Sequence, residues 1–186
     1  MSVLVLWSSP NQDGLTASAA RQVASGLAAG GAEVEELCLN RYTIEHCCAC
    51  GNGWGSCRAE GRCVINDDFA ALYDKLAAAQ GIVFVTAVYW HDCTEQFKAL
   101  LDRLRRCETM NRHVLRGKNC LLVACAGGTG NGAVKCLFNL EETMRHMELV
   151  PLDRTPVIRF NKDYILPALE GAGRAFAARI AEQTKA

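Results

Sequence analysis

The chain has 186 residues, half of them hydrophobic, with 20 basic residues against 20 acidic and a formal net charge of zero. That length and apolar content suffice for one substantial core, so a single domain over residues 1–186 is expected. Balanced charge without like-charged blocks excludes the electrostatic footprint of a nucleic-acid or anionic-membrane binder, and no apolar run is long enough to span a bilayer.

The chain runs from Met1 through Ser2 into the strand-like residues 3–7, with neither a basic leader nor a small-residue cleavage site, and a cytoplasmic protein is the expectation. Val3-Leu4-Val5-Leu6 is apolar without alternation, as a parallel strand covered on both faces requires; Ile82-Val83-Phe84-Val85 and Leu121-Leu122-Val123-Ala124 repeat the pattern. Ala20, Val23, Ala24 and Leu27 are spaced for one helical face, which Gly30-Gly31 ends. A strand at residues 34–39 carries Glu35 and Glu36 and suits a sheet edge. Asp67 or Asp68 can cap a helix with Phe69, Leu72, Tyr73 and Leu76 inward. In the next helix Phe97, Leu100, Leu101 and Leu104 face the core, while Lys98, Asp102, Arg103, Arg105 and Arg106 read as a solvated or subunit-facing side. A helix with Leu137, Leu140, Met144 and Met147, a strand near Val157-Ile158 and a helix with Leu169, Phe176 and Ile180 complete the chain. Strict alternation of strand and helix predicts a doubly wound α/β parallel sheet with helices on both faces.

Ligands of such sheets bind beyond the carboxyl ends of the strands, where residues 8–16, 86–93 and 126–132 form loops. The first places hydroxyls and backbone N–H groups at a helix start, which suits an anion such as phosphate, or is a plain strand-to-helix turn. Gly127-Gly128-Thr129-Gly130-Asn131-Gly132 permits close approach of a ligand but is not the dinucleotide fingerprint, so no stably bound dinucleotide is expected.

Ser8-Ser9-Pro10 with Gly14 and Thr16, then Thr86-Ala87-Val88-Tyr89-Trp90 followed by Phe97-Lys98-Ala99-Leu100-Leu101-Asp102-Arg103, resemble the NADPH-dependent FMN reductase family, and its iron–sulfur flavoprotein branch in particular. The resemblance implies a flavodoxin-like five-stranded parallel sheet in the order 2-1-3-4-5. It further implies that Ser9, Asn11, Gly14, Leu15 and Thr16 hold the FMN phosphate, while Val88, Tyr89, Trp90, His91, Asp92, Gly127 and Gly128 flank the ring. The family usually has glycine at Ser8, a basic residue at Asn11 and asparagine at Leu15, so this loop lacks one cation. Tyr89 and Trp90 stack on a flavin under this reading and close the sheet as aromatic core under the plainer one. His91 is either a flavin hydrogen-bond partner or a surface histidine. NAD(P)H would be a transient donor. A small-molecule acceptor or redox partner protein would take the electrons, from a homodimer or homotetramer, with no catalytic acid, base or nucleophile required.

Of eleven cysteines, Cys38, Cys93, Cys107, Cys120, Cys125 and Cys136 stand among apolar neighbours and are expected as buried thiols. The other five fall in a long irregular segment at residues 40–66. There Cys47, Cys50, Cys57 and Cys63 give C-x2-C-x6-C-x5-C, with Cys48 a rival for Cys47. Four thiolates on a glycine-rich loop can wrap a [4Fe–4S] cluster; structural zinc and unligated thiols are the alternatives. Three functions follow. The first is an FMN-dependent NAD(P)H oxidoreductase, the second an FMN-plus-cluster electron carrier, and the third a flavin-less module with zinc-bound cysteines.

Overall fold

In the computed structural model, which describes residues 1–185, the apolar runs are the strands β1 (Ser2–Ser8), β2 (Glu33–Cys38), β3 (Gly81–Ala87), β4 (Asn119–Ala126) and β5 (Val150–Ile158). All pair parallel, in the order β2-β1-β3-β4-β5 that the resemblance implies. The helices are α1 (Leu15–Ala29), a one-turn α2 (Ser56–Glu60), α3 (Phe69–Ala78), α4 (Glu95–Cys107), α5 (Ala133–His146) and α6 (Lys162–Lys185). β5 begins earlier than the Val157-Ile158 signal indicates. It is an edge strand, where Pro151 and Pro156 remove no ladder bond that a further strand would need.

Alternate residues of each central strand feed two cores. Leu4, Leu6, Phe84 and Leu122 pack with α3, α4 and α5 on one face; Val3, Val5, Val83, Val85 and Val123 pack with α1 and α6 on the other. Register sets Ser8 beside Thr86 and Ala87 beside Cys125, so the carboxyl ends of β1, β3 and β4 finish level and their loops emerge together.

One expectation fails. Arg103 is not on a solvated side of α4: it is 1% exposed, because the apolar arc of Leu100, Leu104 and Cys107 carries it inward against Asp67. The flanking positions Lys98 and Asp102 do pair on the solvent side.

Helices α1 and α6 cross nearly backbone to backbone. A Cβ on Gly26 would lie 1.9 Å from the Glu170 carbonyl oxygen, and one on Gly173 would lie 2.4 Å from that of Val23. Helix propensity alone makes Gly26→Ala stabilising by about 1 kcal/mol; the steric conflict predicts a net loss of about 1–3 kcal/mol. Urea denaturation decides the sign, and an equally or more stable variant would refute the close crossing.

Candidate functional site

The first loop ends in a helix start left open. α1 has Gly14 at its N-cap, no side-chain cap and no acidic residue in its first turn, so its leading N–H groups have no partner inside the helix. Asn11 donates its N–H to Ser9 Oγ, and its own Oδ1 accepts from the Asp13 N–H. A Cβ on Gly14 would stand 2.8 Å from Asn11 Nδ2, which ties the glycine to this tight packing. Ser9 and Thr16 are buried, and Thr16 hydrogen-bonds the Cys125 thiol at the end of β4. Although Asn11 brings no charge, Arg21 donates to the Gln12 carbonyl at 2.9 Å and Arg41 to Gln12 Oε1 at 2.8 Å, so two guanidinium groups hold the loop's outer edge.

Beneath it lies a buried hydroxyl network. Ser8 Oγ donates to Asn40 Oδ1 at 2.9 Å and lies 2.5 Å from Thr94 Oγ1, whose proton therefore serves that contact. Thr94 accepts from the Phe97 N–H and so caps α4, while its own N–H donates to Thr86 Oγ1 at 3.3 Å. Ser8, Thr86 and Thr94 are at most 1% exposed. The network ties the first loop, the second loop and the segment leaving β2 to one frame, and an unmade buried bond here would cost about 1–3 kcal/mol.

The second loop is bent into a two-residue hairpin. Tyr89 and Asp92 exchange backbone hydrogen bonds of 2.8 and 3.0 Å, and Trp90 and His91 between them have φ of 47° and 69°. Positive φ at both central positions marks a type I′ turn, which Asn-Gly adopts readily and Trp-His does not. The turn leaves Trp90 97% and Tyr89 41% exposed, so neither closes the sheet as core, and His91 is at the surface. Val88, Trp90 and His91 form one wall of an open crevice; Gly127, Thr129, Asn131 and Gly132 form the other. A Cβ on Gly132 would lie 2.8 Å from Val88 Cγ1 and 3.1 Å from His91 Cα, whereas one on Gly127 or Gly128 would meet nothing. Glycine is thus required where the walls touch and leaves free space where they part.

The structure therefore brings Val88, Trp90, His91 and Gly127 together at one crevice. Ser9, Asn11, Gly14, Leu15 and Thr16 lie at the neighbouring strand end, joined to it through Thr16 and Cys125. Gly128 lies in the same turn without lining the crevice, and Tyr89 and Asp92 close the hairpin that presents Trp90. The six scattered cysteines are buried as expected. Desolvation pushes the thiols of Cys107, Cys120, Cys125 and Cys136 up to about 12 and raises Cys93 as well, so none of the five serves as a thiolate nucleophile near neutral pH.

A second pocket lies in residues 40–66. Cys47, Cys48, Cys50, Cys57 and Cys63 all line it, together with Arg103 and Arg106 of α4. Partial desolvation, then the neighbouring thiols of Cys48, Cys57 and Cys63, raises the Cys50 thiol. Gly55 packs against this group: a Cβ there would lie 2.6 Å from Cys50 Sγ. Arg106 stacks 4.6 Å over Trp54 and donates to the Gly53 carbonyl.

Sequence reasoning missed the anchor of this pocket. Arg103 forms a bidentate pair with Asp67, Nη1 at 2.5 Å from Oδ2 and Nη2 at 2.9 Å from Oδ1. It also donates to the carbonyls of Glu45 and Ile65, lies 4.2 Å over the Phe69 ring and hydrogen-bonds Cys63. Asp67 in turn accepts from the N–H groups of Glu45 and Phe69, so the pair clamps both ends of the cysteine segment onto α4. The available signal was Arg103 itself, three residues from Leu100 and four from Cys107 on the apolar arc. The buried Arg103 Nε–H has no hydrogen-bond partner among the described residues.

Among the described residues no three His, Cys, Asp or Glu side chains gather about one point as a single ion requires. Five cysteine sulfurs lining one pocket, a glycine packed against Cys50 and an unpartnered donor beside them supply the ligand chemistry that a cluster needs.

The family described as NADPH-dependent FMN reductase matches residues 1–163. Iron-sulfur flavoproteins of Methanocaldococcus jannaschii and Methanosarcina thermophila are each 31% identical to this chain. The first alignment spans 66% of this chain and 60% of that protein, the second 61% and 57%. The chain thus spans rather more than half the length of these curated relatives. Among solved structures, a flavone reductase superposes with a TM-score of 0.77 at 18% identity, over 99% of this chain and 64% of that one. An NAD(P)H:quinone oxidoreductase from Methanothermobacter marburgensis gives 0.74 at 16% identity, over 95% and 96%.

Desolvation raises the Asp67 carboxyl, but hydrogen bonds from Arg103, Glu45 and Phe69 outweigh it and hold the group below the ordinary aspartate value. Asp67→Asn leaves a buried guanidinium unpaired and should cost about 3–5 kcal/mol. A depressed folded-state pKa contributes stability above the unfolded value of about 3.9 and loses it as pH falls further. The gap between wild type and variant in urea denaturation should therefore be widest near neutrality and narrow below about pH 4. A gap independent of pH would contradict the ionised pair.

Proposed function

Since the chain belongs to the NADPH-dependent FMN reductase family, we propose that it is an FMN-dependent NAD(P)H oxidoreductase, passing electrons from a transiently bound nicotinamide to a small acceptor such as a flavin or quinone. The observation that carries this reading is the strained Trp90–His91 turn, which holds an aromatic ring in the open beside a glycine-walled crevice at the level ends of β1, β3 and β4. Two left-handed non-glycine residues cost of order 1–3 kcal/mol each, and such strain is typically kept where it serves a site.

When bound, FMN supplies hydride acceptance and electron transfer. The chain's own residues bind and orient it. The open N–H groups at Leu15 and Thr16, with the hydroxyls of Ser9 and Thr16 and the amide of Asn11, receive the phosphate, and the helix dipole favours its charge. Arg21 and Arg41 add positive charge at the edge of the loop, where Asn11 supplies none. Val88, Trp90 and His91 on one side and Gly127 on the other bound the ring, and the hydroxyl network under Ser8 and Thr94 fixes the spacing of the two loops. The individually exposed Trp90, Phe138, Phe160 and Tyr164 are apolar side chains that a neighbouring chain in a homodimer or homotetramer would cover. Among the described residues no helix is long and apolar enough to cross a membrane.

A second centre is favoured by the cysteine pocket. Cys50, Cys57, Cys63 and one of Cys47 or Cys48 would hold an iron–sulfur cluster, which supplies one-electron transfer when bound.

Gently purified protein should carry FMN at about one per chain, and its flavin absorbance should bleach under anaerobic NAD(P)H; a flavin that stays oxidised overturns the oxidoreductase reading. Replacing the turn by its preferred pair, Trp90→Asn with His91→Gly, should stabilise the fold by about 1–2 kcal/mol. The same change should lower kcat/KM for the nicotinamide about tenfold, through loss of the aromatic contact. A stabilised variant with undiminished turnover would separate the turn from the reaction.

A further inference from the structure

Arginines of this chain commonly find a carboxylate: Arg103, Arg116, Arg145, Arg154 and Arg174 each pair with an aspartate or glutamate. Arg21 and Arg41 do not. Both reach the first loop, and their hydrogen bonds go to uncharged oxygens, the Gln12 carbonyl at 2.9 Å and Gln12 Oε1 at 2.8 Å. Two guanidinium groups without a carboxylate partner among the described residues thus stand beside the open start of α1.

The two acceptors are not equivalent. Arg21 is held by a main-chain oxygen, which it cannot exchange without moving the loop. Arg41 is held by the end of an exposed side chain, and a neutral hydrogen bond at the surface contributes little net stability. The backbone beneath Arg41 is fixed all the same. Leu39 is fully buried, the Tyr42 N–H donates to its carbonyl at 3.1 Å, and Asn40 Oδ1 accepts from Ser8 Oγ at 2.9 Å. The turn Leu39–Arg41 therefore offers the loop an anchored stem with an exposed cationic head.

A phosphate monoester carries about −1.5 to −2 charges at pH 7 and can accept both arms of a guanidinium fork. Such a charged bond is roughly twice as strong as one to a neutral acceptor, so an arginine offered both leaves the amide. We propose that Arg41 is the residue by which this chain selects FMN over unphosphorylated flavin, exchanging Gln12 Oε1 for a phosphate oxygen. The cation absent at Asn11 is then supplied from just after β2. Arg21 keeps its hold on the Gln12 carbonyl and shapes the loop. This inference rests on the FMN reading above and adds to it one specificity-determining residue.

The test is equilibrium binding of FMN and of riboflavin to the full-length chain freed of flavin, read from the quenching of flavin fluorescence. Riboflavin has the same ring without phosphate, so the ratio of the two dissociation constants isolates the phosphate contact, and its binding reports that each variant is folded. Arg41→Gln should weaken FMN about tenfold and riboflavin less than about twofold. Arg21→Gln should leave the ratio within about threefold of wild type. At about 1 M salt, where charges are screened beyond about 3 Å, the FMN difference between wild type and Arg41→Gln should shrink. The proposal is overturned if Arg41→Gln keeps the wild-type ratio, if Arg21→Gln lowers it as much, or if wild type binds both flavins equally. Wild-type protein that binds neither flavin would sink the FMN reading itself, a result distinct from those three.

Discussion

The buried pair between Arg103 and Asp67 is the constraint on which the irregular part of this molecule depends. Removing a guanidinium and a carboxylate from water costs several kcal/mol per ion, which only good geometry and added hydrogen bonds offset. Here the fork is bidentate, and further hydrogen bonds reach Glu45 and Ile65 from Arg103 Nη1 and Nη2, and Asp67 from the N–H groups of Glu45 and Phe69, with only the Arg103 Nε–H left over among the described residues of the pair. These partners stand at the beginning and end of the cysteine segment. A stretch with almost no regular structure is thereby given fixed ends on a rigid helix, and its sulfurs acquire defined places.

That helix, α4, is also the link between the two candidate centres. At its N-terminus Thr94 is both cap and member of the buried hydroxyl network that spaces the first two loops. About two and a half turns further on, Arg103 receives the cysteine segment. Nine residues of helix correspond to about 13 Å, so crevice and cysteine pocket are set apart along one rigid element. Asn40 strengthens the connection, since it accepts from Ser8 at the exit from β2, as the first residue of the irregular segment that carries the cysteines.

Much of this was legible in the amino-acid sequence, and what was not has physical reasons. Unalternating runs such as Val3-Leu4-Val5-Leu6 announce strands buried on both faces, because only a sheet covered by helices on either side has no polar face to offer. The glutamates of β2 marked an edge for the complementary reason, and β2 is an edge. Arg103 was misread because charge was allowed to outweigh position: its spacing from Leu100 and Cys107 puts it on the inward arc, where an arginine must find a carboxylate. The Trp90–His91 turn was not legible as a turn, since neither residue favours positive φ and local propensity argues against what the structure adopts.

The distribution of strain carries the argument one step further. Six described non-glycine residues have positive φ: Ala49, Asn52, Trp90, His91, His113 and Glu148. Two have a structural explanation, since His113 and Glu148 end helical segments in the manner of left-handed caps and face each other at 3.2 Å. The other four end no helix; two lie in the cysteine coil and two at the crevice turn. A fold whose core follows local preference almost throughout thus concentrates its exceptions at the two places where a bound group would need fixed sulfurs or an outward aromatic ring. Strain of this kind is sustained by what surrounds it. The hydroxyl network and the Asp67–Arg103 clamp are the surrounding parts rigid enough to sustain it.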